Sequence, residues 1–161
     1  MNVLFEEYVG RRAARVLSAK GFTVDLQEGG SIYLAKEVSS GQNAFLLKPD
    51  ILVRQGKKPW AAIDTKWKIL DPQRGSLGVS EADVYQVLAY AHRYETDHAV
   101  LVFPHRSALG AAGVQRDFLV HGGRGNAVRV RVCTLDLARR ESVPDQLEQV
   151  LVSEWRETRA G

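Results

Sequence analysis

The stretch LLKPDILVRQGKKPWAAIDTKWKIL, residues 46–70, constrains this chain more than any other. Its two apolar runs, Ile51-Leu52-Val53 and Ala61-Ala62-Ile63, read as strands joined through Gln55-Gly56-Lys57-Lys58, which has the composition of a hairpin turn. Pro49-Asp50 precedes the first run, and Asp64-Thr65-Lys66 closes the second. Side chains alternate along a strand, so Asp64 and Lys66 share one face while Ile63, Thr65 and Trp67 share the other. Buried strands rarely hold carboxylates and an ammonium unless these pair or bind a metal. Two acids and a lysine at strand ends supply hard oxygen ligands for Mg²⁺ and a cation for an attacked phosphate. The plainer alternative is a turn-capping Asp50 beside a structural Asp64–Lys66 ion pair. Against it, neighbours two apart on one face satisfy each other poorly.

The remaining pattern surrounds these strands with helices. Residues 2–20 read as an amphipathic helix with Phe5, Val9, Ala13 and Val16 as its apolar stripe, stopped by Gly21. Short strands are expected around residues 22–27 and 31–36, parted by Gly29-Gly30, with a loop over 39–43. Residues 69–79, with Pro72, Gly75 and Gly78, read as a mobile loop beside the acids. A second helix begins near Ser80, which forms a capping pair with Asp83. Val84, Val87, Leu88 and Ala91 are its expected core face, with Tyr85 and Tyr94 as packing residues. The run Ala99–Phe103 suits a central strand covered on both sides. Strands at 116–121 and 126–134 follow, the second alternating Val128, Val130 and Val132 with Arg129 and Arg131, which predicts one buried and one wet face. A last helix is expected from Pro144 to Arg156. This order predicts one α/β domain over residues 1–161, a mixed sheet flanked by helices.

Helical phase separates the two acids of the opening helix. Glu7 aligns with Arg11, an exposed row suited to an ion pair four residues apart. Glu6 aligns with Gly10, Ala13 and Leu17 and turns inward, where a carboxylate needs a partner. Gln86 and Tyr90 lie one turn apart on the flank of the second helix.

Several classes of function are disfavoured. The lone Cys133 rules out an internal disulfide framework and any multi-cysteine zinc site, and its valine-rich setting reads as a small buried hydrophobe. His92, His98, His105 and His121 show no metal-binding spacing. There is no G-x-S-x-G elbow, and Gly122-Gly123-Arg124-Gly125 lacks the Lys-Ser/Thr of a phosphate loop and reads as a hairpin turn. No apolar run approaches a membrane span and no signal-peptide layout opens the chain, so a cytoplasmic protein is the default expectation. The net charge of +3 leans mildly toward a polyanionic partner.

Four blocks in order, LFEEYV, KPDILV, IDTKWK and DVYQVLAYA, together resemble the nuclease domain of the McrC family, the cleavage subunit of 5-methylcytosine-specific restriction systems. PD…DTK is similar to the D-x-K form of the PD-(D/E)XK nuclease motif. The resemblance implies a restriction-endonuclease-like fold and Mg²⁺-dependent DNA cleavage, with Mn²⁺ able to substitute. It further implies a McrB-like GTPase partner, docked in that family through a region N-terminal to the nuclease helix. Asp50, Asp64, the Thr65 carbonyl and Glu6 (directly or through water) become the expected metal ligands, and Lys66 the residue that handles the attacking water and phosphate charge. Gln86 and Tyr90 resemble the Q-x-x-x-Y element of the RecB-like branch, near the active lysine and the DNA backbone. Two other readings stand beside this one: a non-catalytic nuclease-like module for DNA binding or assembly, and a metal-dependent hydrolase of small phosphoesters.

Overall fold

The computed structural model describes residues 1–26, 32–121 and 127–153. Helix α1 (Asn2–Ser18) leads into strand β1 (Thr23–Leu26) and a hairpin, β2 (Tyr33–Lys36) and β3 (Asn43–Leu46). Strands β4 (Ile51–Gln55) and β5 (Lys58–Thr65) follow, then helix α2 (Glu81–Tyr94) and strand β6 (His98–Pro104). The described residues end with β7 (Gly113–His121), β8 (Ala127–Leu135) and α3 (Val143–Glu148), extended by a wider helical turn over Gln149–Ser153. The two expected glycine turns, 29–30 and 122–125, lie outside the described residues, as does the end of the last expected helix.

Six strands form one mixed sheet in the order β1-β4-β5-β6-β8-β7. The β5–β6–β8 centre is parallel and the flanking pairs are antiparallel. Gly56, with φ of +61°, turns the β4–β5 hairpin without the steric cost of a Cβ. The β2–β3 pair is a separate two-stranded sheet. Its second strand falls where the sequence reading saw only the end of a loop, because its side chains are mostly exposed and show no apolar alternation.

Strand parity sends alternate side chains into two cores. On one face, Phe5, Val9, Ala13 and Leu17 of α1 and Val143 and Leu147 of α3 pack on Ile51, Val53, Ala61, Ile63, Val100 and Val102. Gly10 lets α1 lie close to β1, since a Cβ there would stand 3.1 Å from Leu26. On the other face, Val87, Tyr90, Ala91 and Tyr94 of α2 cover Leu52, Ala62, Ala99, Leu101, Val130 and Val132. Each buried Val, Leu or Phe adds about 1.5–3 kcal/mol, so both layers are anchored across the central strand.

Three expectations change. Arg131 is buried, because its guanidinium meets Asp117 through Nε (2.9 Å) and Nη2 (2.8 Å) and donates to the Val150 carbonyl at 2.9 Å. The chain after α3 covers what alternation alone marks as a wet face. Tyr85 is 64% exposed rather than packed, and Asp83 and Tyr90 take inward positions on α2. Residues 69–79 are tied down by the buried side chains of Leu70 and Leu77 and by the Asp71 N–H donating to the Leu77 carbonyl.

Candidate active site

Asp64 and Lys66 sit where β5 runs out, at the C-terminal edge of the parallel centre of the sheet. Ile63 belongs to the α1 core and Ala62 to the α2 core, so Asp64 shares the α2 face with Ala62. The Lys66 N–H donates to the Val102 carbonyl at 2.8 Å, holding the chain extended one residue past the strand. Ile51 pairs with Ile63 in the antiparallel β4–β5 ladder, and one further step sets Asp50 opposite Asp64. The Asp50 carboxylate ends that ladder, accepting from the Thr65 N–H (2.7 Å) and the Thr65 hydroxyl (2.8 Å).

Helix α2 supplies the other wall. Lys66 Nζ lies 2.5 Å from Asp64 Oδ2, donates to Gln86 Oε1 at 2.8 Å and stands 3.5 Å from Asp83 Oδ1. Asp83 Oδ2 accepts from Lys68 Nζ at 2.8 Å. Gln86 Nε2 donates to the Tyr90 hydroxyl at 2.8 Å, which donates to the Lys48 carbonyl at 3.2 Å. One connected path thus runs from the end of β5 through a turn of α2 to the segment that leads into Asp50. Gln86 and Tyr90 are wired to the lysine, as the spacing on α2 allows.

The electrostatics follow from burial and crowding. Burial, then the neighbouring Asp50 charge, pushes the Asp64 carboxyl from its ordinary 3.8 up to about 6, against the pull of Lys66. Burial works to lower the Lys66 pKa, but the partnership with Asp64 and the charges of Asp83 and Asp50 outweigh it and hold the ammonium above its ordinary value. Asp83 is raised by burial, yet hydrogen bonds from Lys68 and Ser80 and both lysine charges bring it below the usual range. Burial and the Asp64 charge lift the Tyr90 phenol well above its usual range, so it stays a neutral hydrogen-bonding group.

Asp64 Oδ2 is a buried oxygen whose close partner is the Lys66 ammonium, held as an ion pair. Asp64 also faces a second carboxylate that raises its pKa, an arrangement that a hard divalent cation would relieve. Among the described residues, no three His, Cys, Asp or Glu side chains converge to hold a metal by themselves. The donor set fits Mg²⁺ nonetheless, because that ion binds through one or two carboxylates and keeps several waters and substrate oxygens.

Glu6 is half-buried and Glu7 exposed, in the phase expected, with Glu7 3.8 Å from Arg11. The helix bearing Glu6 packs on the opposite sheet face from Asp64 and Lys66. Its first turn reaches the strand end through Phe5, whose ring meets Trp67 edge-on at 5.4 Å. Glu6 is not gathered with Asp50 and Asp64 into one cluster. His105 is taken up by Thr134 Oγ1 (3.0 Å) and the Gly110 carbonyl (3.1 Å).

Asp83 is the site residue that the sequence reading missed. As a capping position its N–H does donate to Ser80 Oγ, at 3.2 Å, but its side chain bridges Lys66 and Lys68. The signal was present in Asp83-x-x-Gln86-x-x-x-Tyr90, a polar line on a helix face turned toward the sheet.

Among solved structures, the fold is similar to a chain in the refined half-complex from a tetradecameric assembly of Thermococcus gammatolerans McrB AAA+ hexamers with bound McrC, with a TM-score of 0.65 and 17% identity. The match covers 94% of this chain and 32% of that one, so this chain spans about a third of its length. None of the curated proteins matches. No helix among the described residues is long and apolar enough to cross a membrane. The family model for the McrBC 5-methylcytosine restriction system component matches residues 1–104, from α1 through β6, a stretch that holds every residue of the site. The chain therefore belongs to the McrBC family of 5-methylcytosine restriction system components.

Proposed function

We propose that this chain is a McrC-like cleavage module, a PD-(D/E)XK-type endonuclease that hydrolyses DNA phosphodiester bonds with Mg²⁺. The observation that carries the reading is the buried Asp64 carboxylate crowded by Asp50, its pKa raised, with Lys66 held at the same strand end by Gln86. Asp64, Asp50 and the Thr65 carbonyl would hold the ion, with Glu6 contributing through water. Such an ion supplies Lewis-acid charge to the phosphate and lowers the pKa of a water.

The protein's own groups do the rest. Lys66 keeps its proton, given its raised pKa, so it donates to a phosphate oxygen and offsets developing negative charge rather than acting as a base. Gln86 fixes the direction of the ammonium, and Tyr90 fixes Gln86. Asp83 draws Lys68 to the same edge, adding a second cation where a phosphate backbone would pass. A McrB-like GTPase is the proposed partner, in keeping with the assembly of the structurally similar chain.

One observation favours a second reading. The lack of a three-carboxylate cluster among the described residues suits a non-catalytic DNA-binding or assembly module. Cleavage of plasmid DNA by the purified chain, alone and with a McrB-like partner and GTP, separates the two. Mg²⁺ or Mn²⁺ should support cutting and excess chelator should abolish it. Failure to cut under every condition would establish the non-catalytic module, and robust cutting in chelator would end the metal-site reading. A mononucleotide ester assayed in parallel should remain intact.

A further inference from the structure

The β2–β3 pair stands apart from the main sheet and leaves most of its side chains in solvent. Within it, Phe45 is 72% exposed and has a φ of +62°. Each feature is unfavourable: a large ring in water, and left-handed backbone under a bulky L side chain. The turn of the hairpin does not demand it, because Gly41, with φ of +69°, supplies the left-handed residue there. Strained backbone held at an exposed position points to binding.

The hairpin is rooted in the candidate site. Phe45 lies five residues before Asp50, at most about 18 Å of extended chain. Between them, the Lys48 carbonyl accepts from Tyr90, the end of the path from Lys66. Arg93 of α2 donates to the Tyr33 carbonyl at 2.7 Å, and the two residues line an open hollow of about 470 Å³ together with Leu34, Lys36 and Asn43. Lys36, Lys48 and Arg93 are all exposed, and Glu37 is the only acid between residues 33 and 48.

From this geometry we propose that Phe45 is a nucleic-acid contact, a ring that stacks on or wedges beside a base of the DNA held at Lys66. Lys36, Lys48 and Arg93 would engage the flanking phosphates. The assignment rests on the nuclease reading of the Asp64–Lys66 site and adds to it the residue that reaches the bases. An 18 Å reach corresponds to roughly five base steps at the 3.4 Å rise of one strand. Apolar wedges between base steps and aromatic platforms under bases are recurrent ways of holding DNA. The lysines Lys36 and Lys48 favour this occupant over a protein partner, since protein interfaces are depleted in lysine while lysine is a regular donor to phosphate oxygens.

The test compares the wild-type chain with Phe45→Ala, Phe45→Gly and Phe45→Trp, using anisotropy of a labelled short duplex in chelator, where nothing is cut. Phe45→Ala should weaken binding by roughly 5- to 100-fold, the range that one stacked base confers, and Phe45→Trp should bind like wild type. Phe45→Gly relieves the backbone, so its Tm should rise by about 2–4 °C for each kcal/mol of strain released, while its affinity falls with that of Phe45→Ala. Opposite signs for stability and affinity would mark strain retained for binding. Phe45→Ala binding within twofold of wild type overturns the proposal, as does unchanged DNA affinity with lost association with a McrB-like partner. A wild type that binds the duplex but never cuts it in Mg²⁺, with or without a McrB-like partner and GTP, refutes the nuclease reading instead, and the Phe45 comparison is still decided by affinity.

Discussion

Replacing Asp64 by Asn tests the electrostatics of the site without reference to catalysis. The Asp64 carboxyl titrates near 6 in the folded chain, against 3.8 ordinarily, so the folded state binds this proton more tightly than the unfolded state does. Folding takes up a proton between those two values. Wild-type stability from this group is therefore highest below pH 3.8, falls as pH rises through the window, and is lowest above pH 6. A shift of about two units at 1.36 kcal/mol each amounts to about 3 kcal/mol. With the side chain only 3% exposed, solvent screening takes little from that figure. Asparagine cannot ionise and escapes the effect. About 2.4 kcal/mol of this falls between pH 4 and pH 8, so in chelator the Tm of Asp64→Asn relative to wild type should climb by about 5–10 °C across that range, at 2–4 °C per kcal/mol for a chain of this size. Circular dichroism melts across that range would measure it. Millimolar Mg²⁺ at pH 8 should then raise the wild-type Tm and leave Asp64→Asn unmoved, because only the carboxylate gains from the cation. A Tm difference that stays flat from pH 4 to pH 8 would show that Asp64 titrates as an ordinary carboxylate. The account of a buried acid crowded by Asp50 would then be wrong.

Other substitutions separate roles within the site. Lys66→Ala should abolish scission yet leave much of the Mg²⁺-dependent rise in Tm, since an ammonium is no ligand; cutting near the wild-type rate would reduce Lys66 to an ion-pair partner. Gln86→Leu removes a hydrogen bond to a charged group, worth about 1.5–3 kcal/mol, so cleavage should slow by roughly 10- to 100-fold, with DNA affinity in chelator unchanged; an unaltered rate would show that Lys66 needs no steering. Glu6→Gln should slow cleavage by about 10-fold or more across a Mg²⁺ titration. Glu7→Gln should be silent, because its exposed pair with Arg11 is worth only about 0.3–0.5 kcal/mol; equal rates for both variants would assign Glu6 to stability alone.

Much of this arrangement was legible because strand alternation and helix phase are local rules. Asp64 and Lys66 share a face for the same reason that Ile63 lies in the other core, and Glu6 and Glu7 separate as the helical repeat requires. Long-range covering was not legible. Arg131 looks solvent-facing until the turn after α3 brings the Val150 carbonyl to it. Asp83 looks like a cap residue until the β5–α2 connection folds Lys66 and Lys68 against it. Strand β2 was expected, but β3 and its pairing with β2 escaped because they bury little, and periodicity reports only what is buried.

The same division explains how one short strand can serve both fold and chemistry. In β5, Ala61 and Ile63 face α1 and secure the strand in an apolar core, while Ala62 and Asp64 face α2. The acid can be held buried beside a second carboxylate because Ile63 and the ladders to β4 and β6 fix the backbone beneath it. A surface loop bearing the same two charges would relax, pair its carboxylate with water and return its pKa to the ordinary range. Asp64 stays poised only because the residues on either side of it are locked. Weakening that support should therefore act on the acid at a distance. Ile63→Val deletes one buried methylene on the α1 face, at a cost of about 0.5–1.5 kcal/mol. If the strand end loosens with it, the window over which Asp64→Asn gains on the parent chain should narrow in the Ile63→Val background. An identical window in both backgrounds would mean that burial by α2 alone, and not the anchoring of β5, sustains the raised pKa.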